Sequence, residues 1–261
     1  MIYTIVSKTD PGRARENNED SVAFDVATQL GVLADGMGGY NAGEVASGMA
    51  TAFIKSEMAR WLSEAGKQAN TREIRRALEI CVDNANRSVF NAATSNAQYS
   101  GMGTTLVVAV FQDAKVLLGH IGDSRCYRYR TGELTQITKD HSLLQEQIDA
   151  GLLTLEQAAT SSHKNLVTRA LGVEDAVLLE LNEHAVEAGD LYLLCSDGLS
   201  DMANDAEIAT VLESQMSMAQ KADKLISLAN ERGGRDNISV LLIQAGAAGK
   251  RRGLISRLLR K

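Results

Sequence analysis

Residues 104–138 read TTLVVAVFQDAKVLLGHIGDSRCYRYRTGELTQIT, and this stretch decides the fold. It holds four runs of apolar or alternating composition, 104–111, 115–121, 126–130 and 133–138, that read as strands. The links between them are too short for helical crossovers, and Tyr129-Arg130-Thr131-Gly132-Glu133 has the composition of a tight turn. Successive strands therefore run antiparallel. Working outward, further strands are expected over 2–6, 21–26, 30–34, 177–181, 191–195 and 238–244. The longer pattern of helices falls over 44–65 and from Asn70 to about residue 93, where Ile74, Leu78, Cys81, Ala85 and Val89 keep the helical spacing. Asn70 followed by Glu73 has the form of a capping box, as does Asn204 followed by Glu207. Shorter helices are expected over 143–150, from Thr154 with Gln157, and over 218–232 before Gly233-Gly234. This order is not a regular strand–helix alternation, which disfavours a doubly wound parallel sheet and favours antiparallel sheets with helices packed outside.

The chain has 261 residues, enough for one large domain or two small ones. Neither an internal repeat nor a low-complexity linker precedes the small-residue stretch 245–249, so one domain over 1–245 and a tail over 246–261 are expected. At 44% apolar residues a sizeable core is available. The 27 basic and 33 acidic residues give a net charge of -6, which argues against a nucleic-acid binder. Six of the basic residues lie in 250–261 (Lys250, Arg251, Arg252, Arg257, Arg260 and Lys261), so the body carries 21 against 33. Cys81, Cys126 and Cys195 are scattered and odd in number, a poor disulfide or zinc framework that fits a reducing compartment. With no signal-peptide pattern and no apolar run near ~18 residues, a cytoplasmic protein is the expectation.

The acids of the body concentrate at strand ends. The run 30–34 enters Asp35-Gly36, 117–121 enters Gly122-Asp123, and 192–196 enters Asp197-Gly198; Asn18-Glu19-Asp20 and Asp236-Asn237 each precede a strand. One reading is turn chemistry, which suits Asp123 best because a strand follows at once. It suits Asp35 and Asp197 less, because a glycine-rich loop or a helix follows them. The other reading is a site for hard divalent cations, which take carboxylate and carbonyl oxygens. Two such ions would sit ~3.5–4 Å apart and activate a water between them. Arg15, just before Glu19, is a candidate phosphate anchor, with pairing to Glu16 or Glu19 as the plain alternative.

Together these segments resemble the metal-dependent protein phosphatases of the type 2C family in their bacterial form. The resemblance rests on Gly12-x-x-Arg15-x-x-Asn18-Glu19-Asp20, Ala34-Asp35-Gly36-Met37-Gly38-Gly39, Ala42-Gly43-Glu44-x-Ala46-Ser47, Gly103-Thr104-Thr105, Gly122-Asp123-Ser124-Arg125, Asp140-His141-Ser142, Thr168-Arg169-Ala170-Leu171-Gly172, Ser196-Asp197-Gly198-Leu199 and Gly233-x-Arg235-Asp236-Asn237-Ile238-Ser239. They occur in the family's order and span about residues 1–245.

The resemblance implies a β-sandwich of two antiparallel sheets flanked by helices, with two Mn²⁺ or Mg²⁺ ions at one end and room for a third. It implies that Asp35 bridges the ions, that Gly36 offers its carbonyl to one, and that Asp197 and Asp236 hold the other. Glu19 and Asp20 would hold waters on the metals, Arg15 would bind phosphate, and Asp123 with Asp197 would hold a third, weaker ion. The implied activity is hydrolysis of phosphoserine and phosphothreonine in proteins by direct attack of a metal-activated water. The implied partners are phosphoproteins, and the implied counterpart is a bacterial serine/threonine kinase, with the chain acting as a monomer.

Tyr40 and Met37 depart from the family pattern, because many members carry histidine after the glycine-rich loop or after Asp-Gly. Residues 143–167 match the position of the family's flap. His141 falls in a motif with structure as its first expected role, and Cys195 reads as an apolar strand position more than a nucleophile. Leu254, Ile255, Leu258 and Leu259 among the basic residues of the tail suit either an anionic membrane surface or acidic partner, or a plain solubilising tail.

Overall fold

The computed structural model describes residues 1–39, 42–65, 69–154, 157 and 166–247. Two antiparallel sheets form the centre. The first orders β1 (Ile2–Asp10), β11 (Ile238–Gly246), β10 (Leu191–Cys195), β7 (Arg125–Arg130) and β8 (Glu133–Gln136). The second orders β2 (Asp20–Asp25), β3 (Leu30–Met37), β5 (Leu106–Gln112), β6 (Lys115–Ile121) and β9 (Glu180–Ala185), with β4 (Gly103–Thr104) extending it along β3. Helices α1 (Ala42–Ala65) and α2 (Thr71–Ser95) cover the second sheet, and α5 (Asp205–Glu213) and α6 (Met218–Glu231) cover the first. Two shorter helices are α3 (Leu143–Asp149) and α4 (Asp197–Ser200), and Leu199 of α4 joins the core beneath α5 and α6.

The continuous apolar runs of the central strands follow from burial on both faces. In β5, Leu106, Val108 and Val110 pack under α1 and α2, while Val107, Ala109 and Phe111 face the other sheet. In β11, Val240 and Leu242 face α5 and α6, while Leu241 and Ile243 face the sandwich centre. Side chains alternate along a strand, so a strand between two cores is apolar at every position. The caps read from the sequence are in place. The Glu73 amide donates to Asn70 Oδ1 at 3.1 Å and the Asn70 amide to Glu73 Oε2 at 2.9 Å, with the same reciprocal pair at Asn204 and Glu207. The turn over 130–133 closes β7 on β8 with Thr131 and Gly132 both at positive φ, 49° and 87°.

Three expectations shift. β1 runs on to Asp10 because all nine of its residues pair with β11, and β3, expected over 30–34, runs on to Met37 through Asp35 and Gly36 because Gly36 and Met37 pair with β4. The expected strand at 177–181 lies instead at Glu180–Ala185, pairing with β6. It is an edge strand whose exposed positions include Asn182 and Glu183, so its polar sequence hid it, while Val177, Leu179 and Leu181 pack beneath as core. Third, Gly122-Asp123 is no hairpin, for β6 and β7 belong to different sheets and the chain crosses the sandwich there. Residues 155–156 and 158–165 of the flap region (and with them most of the helix expected from Thr154), Tyr40 and residues 248–261 of the tail lie outside the described residues. Among the described residues no helix is long and apolar enough to cross a membrane.

Candidate metal centre and active site

Strand directions bring the acids to one end of the sandwich. Asp20 opens β2 directly opposite Asp35 of β3. Asp236 precedes β11, Asp197 follows β10 as the first residue of α4, and Asp123 lies on the crossing between the sheets. A cleft of about 290 Å³ at this end is lined by Arg15, Glu19, Asp35, Gly36, Asp123, Asp197 and Asp236, together with Met37, Gly38, Thr105 and Val167. Asp20, the remaining residue expected there, lies beneath the lining, buried and accepting from Ser196 Oγ at 2.7 Å.

The backbone around Asp35 is fixed by two threonines. Its amide donates to Thr105 Oγ1 at 2.9 Å, and its carbonyl accepts from the Thr105 amide and Thr104 Oγ1, both at 2.8 Å. That leaves the side chain to the cleft. A Cβ on Gly36 would meet the Gly43 carbonyl oxygen at 2.1 Å and the Glu19 carbonyl oxygen at 2.6 Å, so only glycine fits where β3 meets the start of α1. Gly36→Ala is expected to lose measurable Mn²⁺ binding in a calorimetric titration and to destabilise the fold by a few kcal/mol, on the order of overpacking penalties. The segment bearing Arg15 and Glu19 is tied down by Asn237, whose Oδ1 accepts from the Glu19 amide at 2.7 Å while its Nδ2 donates to the Asn17 carbonyl at 2.8 Å. Arg15 pairs with Asp236 at 2.8 Å, rather than with Glu16 or Glu19.

The electrostatics are those of a site short of positive charge. Burial, then the charges of Asp20, Asp197, Asp123 and Asp236, push the Asp35 carboxyl well above the usual range. Asp197 is raised likewise, by burial and then by Asp123, Asp201 and Asp236. Burial carries Asp20 and Asp123 up to about 6 each. Buried Oδ1 atoms of both Asp20 and Asp197 have no hydrogen-bond partner. Buried polar atoms are ordinarily satisfied, so carboxylate oxygens left bare in mutual repulsion fit divalent cations, and an all-oxygen donor set suits Mg²⁺ or Mn²⁺.

Asp201 was not singled out from the sequence. It stands one helical turn after Asp197, and that i, i+4 spacing was the available signal. Other motif residues prove to be supports. Arg125 grips Asp140 through Nε and Nη2 at 2.7–3.0 Å, and Thr105 Oγ1 shares a hydrogen bond of 2.7 Å with Ser124. Cys195 is fully buried, and burial pushes its thiol up to about 12, which makes it a core position. His120, His141 and Glu180 bring potential ligand atoms within 4.8 Å of one another. The two imidazoles are stacked, however, with centroids 4.5 Å apart and planes 13° from parallel. Nitrogen lone pairs in two parallel planes do not converge on one ion.

The fold and this cluster of acids define an enzyme that works on phosphate esters with divalent cations. The protein phosphatase 2C family pattern matches residues 12–238. The chain belongs to that family and is a phosphatase of the bacterial serine/threonine type. It is 38% identical over 244 residues to "Serine/threonine phosphatase stp" of Listeria innocua, covering 91% of this chain and 94% of that protein. The crystal structure of the Mycobacterium tuberculosis serine/threonine phosphatase PstP/Ppp superposes with a TM-score of 0.86 at 37% identity, over 94% of this chain and 100% of that one. The catalytic domain of PstP in complex with two manganese ions superposes with a TM-score of 0.79 at 37% identity, over 93% and 98%.

Proposed function

We propose that the chain hydrolyses phosphoserine and phosphothreonine in proteins by direct attack of water on phosphorus, and that it opposes a serine/threonine kinase in the cytoplasm. The observation that carries this reading is the convergence of Asp35, Asp123, Asp197 and Asp236 on one cleft with Arg15. Asp35 would bridge two Mn²⁺ or Mg²⁺ ions, with the Gly36 carbonyl on one and Asp197 and Asp236 on the other. Asp123 and Asp197 would hold a third. When bound, the ions supply Lewis acidity toward water and the phosphoryl oxygens. Glu19 and Asp20, just outside that set, orient water by accepting its hydrogen bonds. Arg15 reaches into the cleft from a half-exposed position, and its planar fork suits two oxygens of a phosphate. The alcohol that departs needs a proton, and the described cleft lining offers no histidine to give it.

Arg15→Ala is expected to lower kcat/KM for a phosphothreonine peptide by roughly 10–100-fold, chiefly through KM, the worth of one charge-assisted pair of hydrogen bonds. Arg15→Lys should recover part of that loss. Steady-state kinetics in Mn²⁺ measure both. The reading as a whole is tested by comparing phosphoproteomes of cells carrying the wild-type chain and Asp197→Asn. Accumulation of phosphoserine and phosphothreonine sites in the variant is expected, and identical phosphoproteomes would reject the reading.

A further inference from the structure

The motif Asp140-His141-Ser142 has no part in the cleft lining, yet its histidine is 7% exposed and bonded on every side. The Gly122 amide donates to His141 Nδ1 at 3.1 Å, and the His141 amide donates to the Gly122 carbonyl at 2.9 Å. A backbone amide can only donate, so Nδ1 carries no proton and the neutral ring carries it on Nε2. That N–H faces Glu180 Oε2 at 3.2 Å, and the ring lies flat on His120, whose Nε2 is fixed by the Lys139 carbonyl at 2.8 Å. Arg169 Nη1, 3.4 Å from Nε2, is then a contact between two donors.

Two strips of cleft wall hang on this ring and its backbone. The first is Gly122-Asp123-Ser124. Gly122 has φ +100°, and a Cβ there would meet Thr105 Cγ2 at 2.7 Å, so this loop presses on the threonine that holds Asp35. The second is the return from the 143–167 excursion. The Thr168 amide donates to the His141 carbonyl at 2.9 Å, and Ser142 bridges to Val167 of the cleft wall. Asp123 itself has no backbone ladder to hold it, for it lies where the chain crosses between sheets.

We propose that His141 is a positioning residue: its imidazole, accepting from the Gly122 amide and donating to Glu180, sets the crossing loop that presents Asp123 to the weakest of the divalent cations. The inference rests on the phosphatase reading for what Asp123 does. The bond from Gly122 to Nδ1 is the element that matters, because losing it strands a buried amide and frees the loop.

Two substitutions separate this role from packing. His141→Asn puts an amide oxygen near the place of Nδ1 and keeps an acceptor for Gly122. His141→Phe keeps the flat ring on His120 and offers no acceptor. His141→Gln, which extends toward Glu180 and leaves Gly122 unpartnered, stands in should the phenylalanine variant fail to fold. Two readouts are needed: hydrogen exchange at the Gly122 amide by NMR, and calorimetric titration of the EDTA-stripped full chain with Mn²⁺. Expected is Gly122 exchange at least about tenfold faster, and the weakest Mn²⁺ step weakened roughly tenfold, in the phenylalanine or glutamine variant, with near wild-type values in His141→Asn. Equal behaviour of all variants, or loss in His141→Asn as severe as in His141→Phe, overturns the inference. A wild-type chain that binds no Mn²⁺ overturns the phosphatase reading and this inference with it; Mn²⁺ binding by wild type alongside indifferent variants overturns the inference alone.

Discussion

Asp35→Asn is expected to lower kcat/KM for a phosphothreonine peptide by at least about 10³-fold, equivalent to ~4 kcal/mol of lost transition-state stabilisation. Asp35 is the carboxylate on which the others converge. It is half-buried at the floor of the cleft, its backbone is pinned by Thr104 and Thr105, and four neighbouring acids press on its charge. Asparagine keeps the size and the backbone bonds but offers one neutral oxygen where two cations need a shared anion. The same substitution should raise the stability of the metal-free chain, because it removes a charge that only cations offset. A loss of activity with a higher Tm in EDTA is therefore the signature sought. Loss of activity with a lower Tm would mean the substitution damaged the fold, and an unchanged rate would remove Asp35 from the site.

The second large effect is on stability against pH. Asp20 and Asp123 are each raised to about 6 in the folded chain, against 3.8 for an ordinary aspartate, and Asp35 and Asp197 are raised as well. A folded state that holds protons more tightly than the unfolded one gains stability from them below the unfolded pKa and loses it as pH rises through the folded pKa. For Asp20 and Asp123 the loss falls between about pH 4 and pH 7 and amounts to at most ~3 kcal/mol each. His141 and His184, lowered chiefly by burial, act in the opposite direction on acidification and offset part of the gain. In EDTA the Tm at about pH 5.5 should exceed that at about pH 7.5 by on the order of 10 °C, and Mn²⁺ should raise the value at the higher pH. A melting temperature independent of pH and of Mn²⁺ would show that the acids do not repel one another in the folded chain.

Much of this site was legible because cation chemistry is written in residue type. Asp197 follows β10 and Asp236 precedes β11, while Asp35 lies two residues inside the end of β3, each with glycine or asparagine beside it, and the strand pattern places these ends together. The burial of the central strands on both faces was equally legible, since runs such as 106–111 are apolar at every position. What escaped the sequence depended on partners far along the chain. β9 is polar because it is an edge strand, and its pairing with β6 shows only in three dimensions. The crossing at Gly122-Asp123 looks like a hairpin in sequence, and the sheet to which each flanking strand belongs is settled by tertiary pairing. His141 was legible only as a motif residue with structure as its first expected role, because Gly122, Glu180 and Arg169 reach it from three separate segments. The burial of Asp20 behind the lining likewise depends on Ser196, 176 residues away.

The most direct test of the central claim is orthophosphate release from a phosphothreonine peptide by the EDTA-stripped chain, measured as Mn²⁺ is added back. The acid cluster predicts no release without the cation, release that rises and saturates with Mn²⁺, and no such rise in Asp35→Asn. Release at the same rate with and without Mn²⁺, or an Asp35→Asn chain that responds as the wild type does, would contradict it.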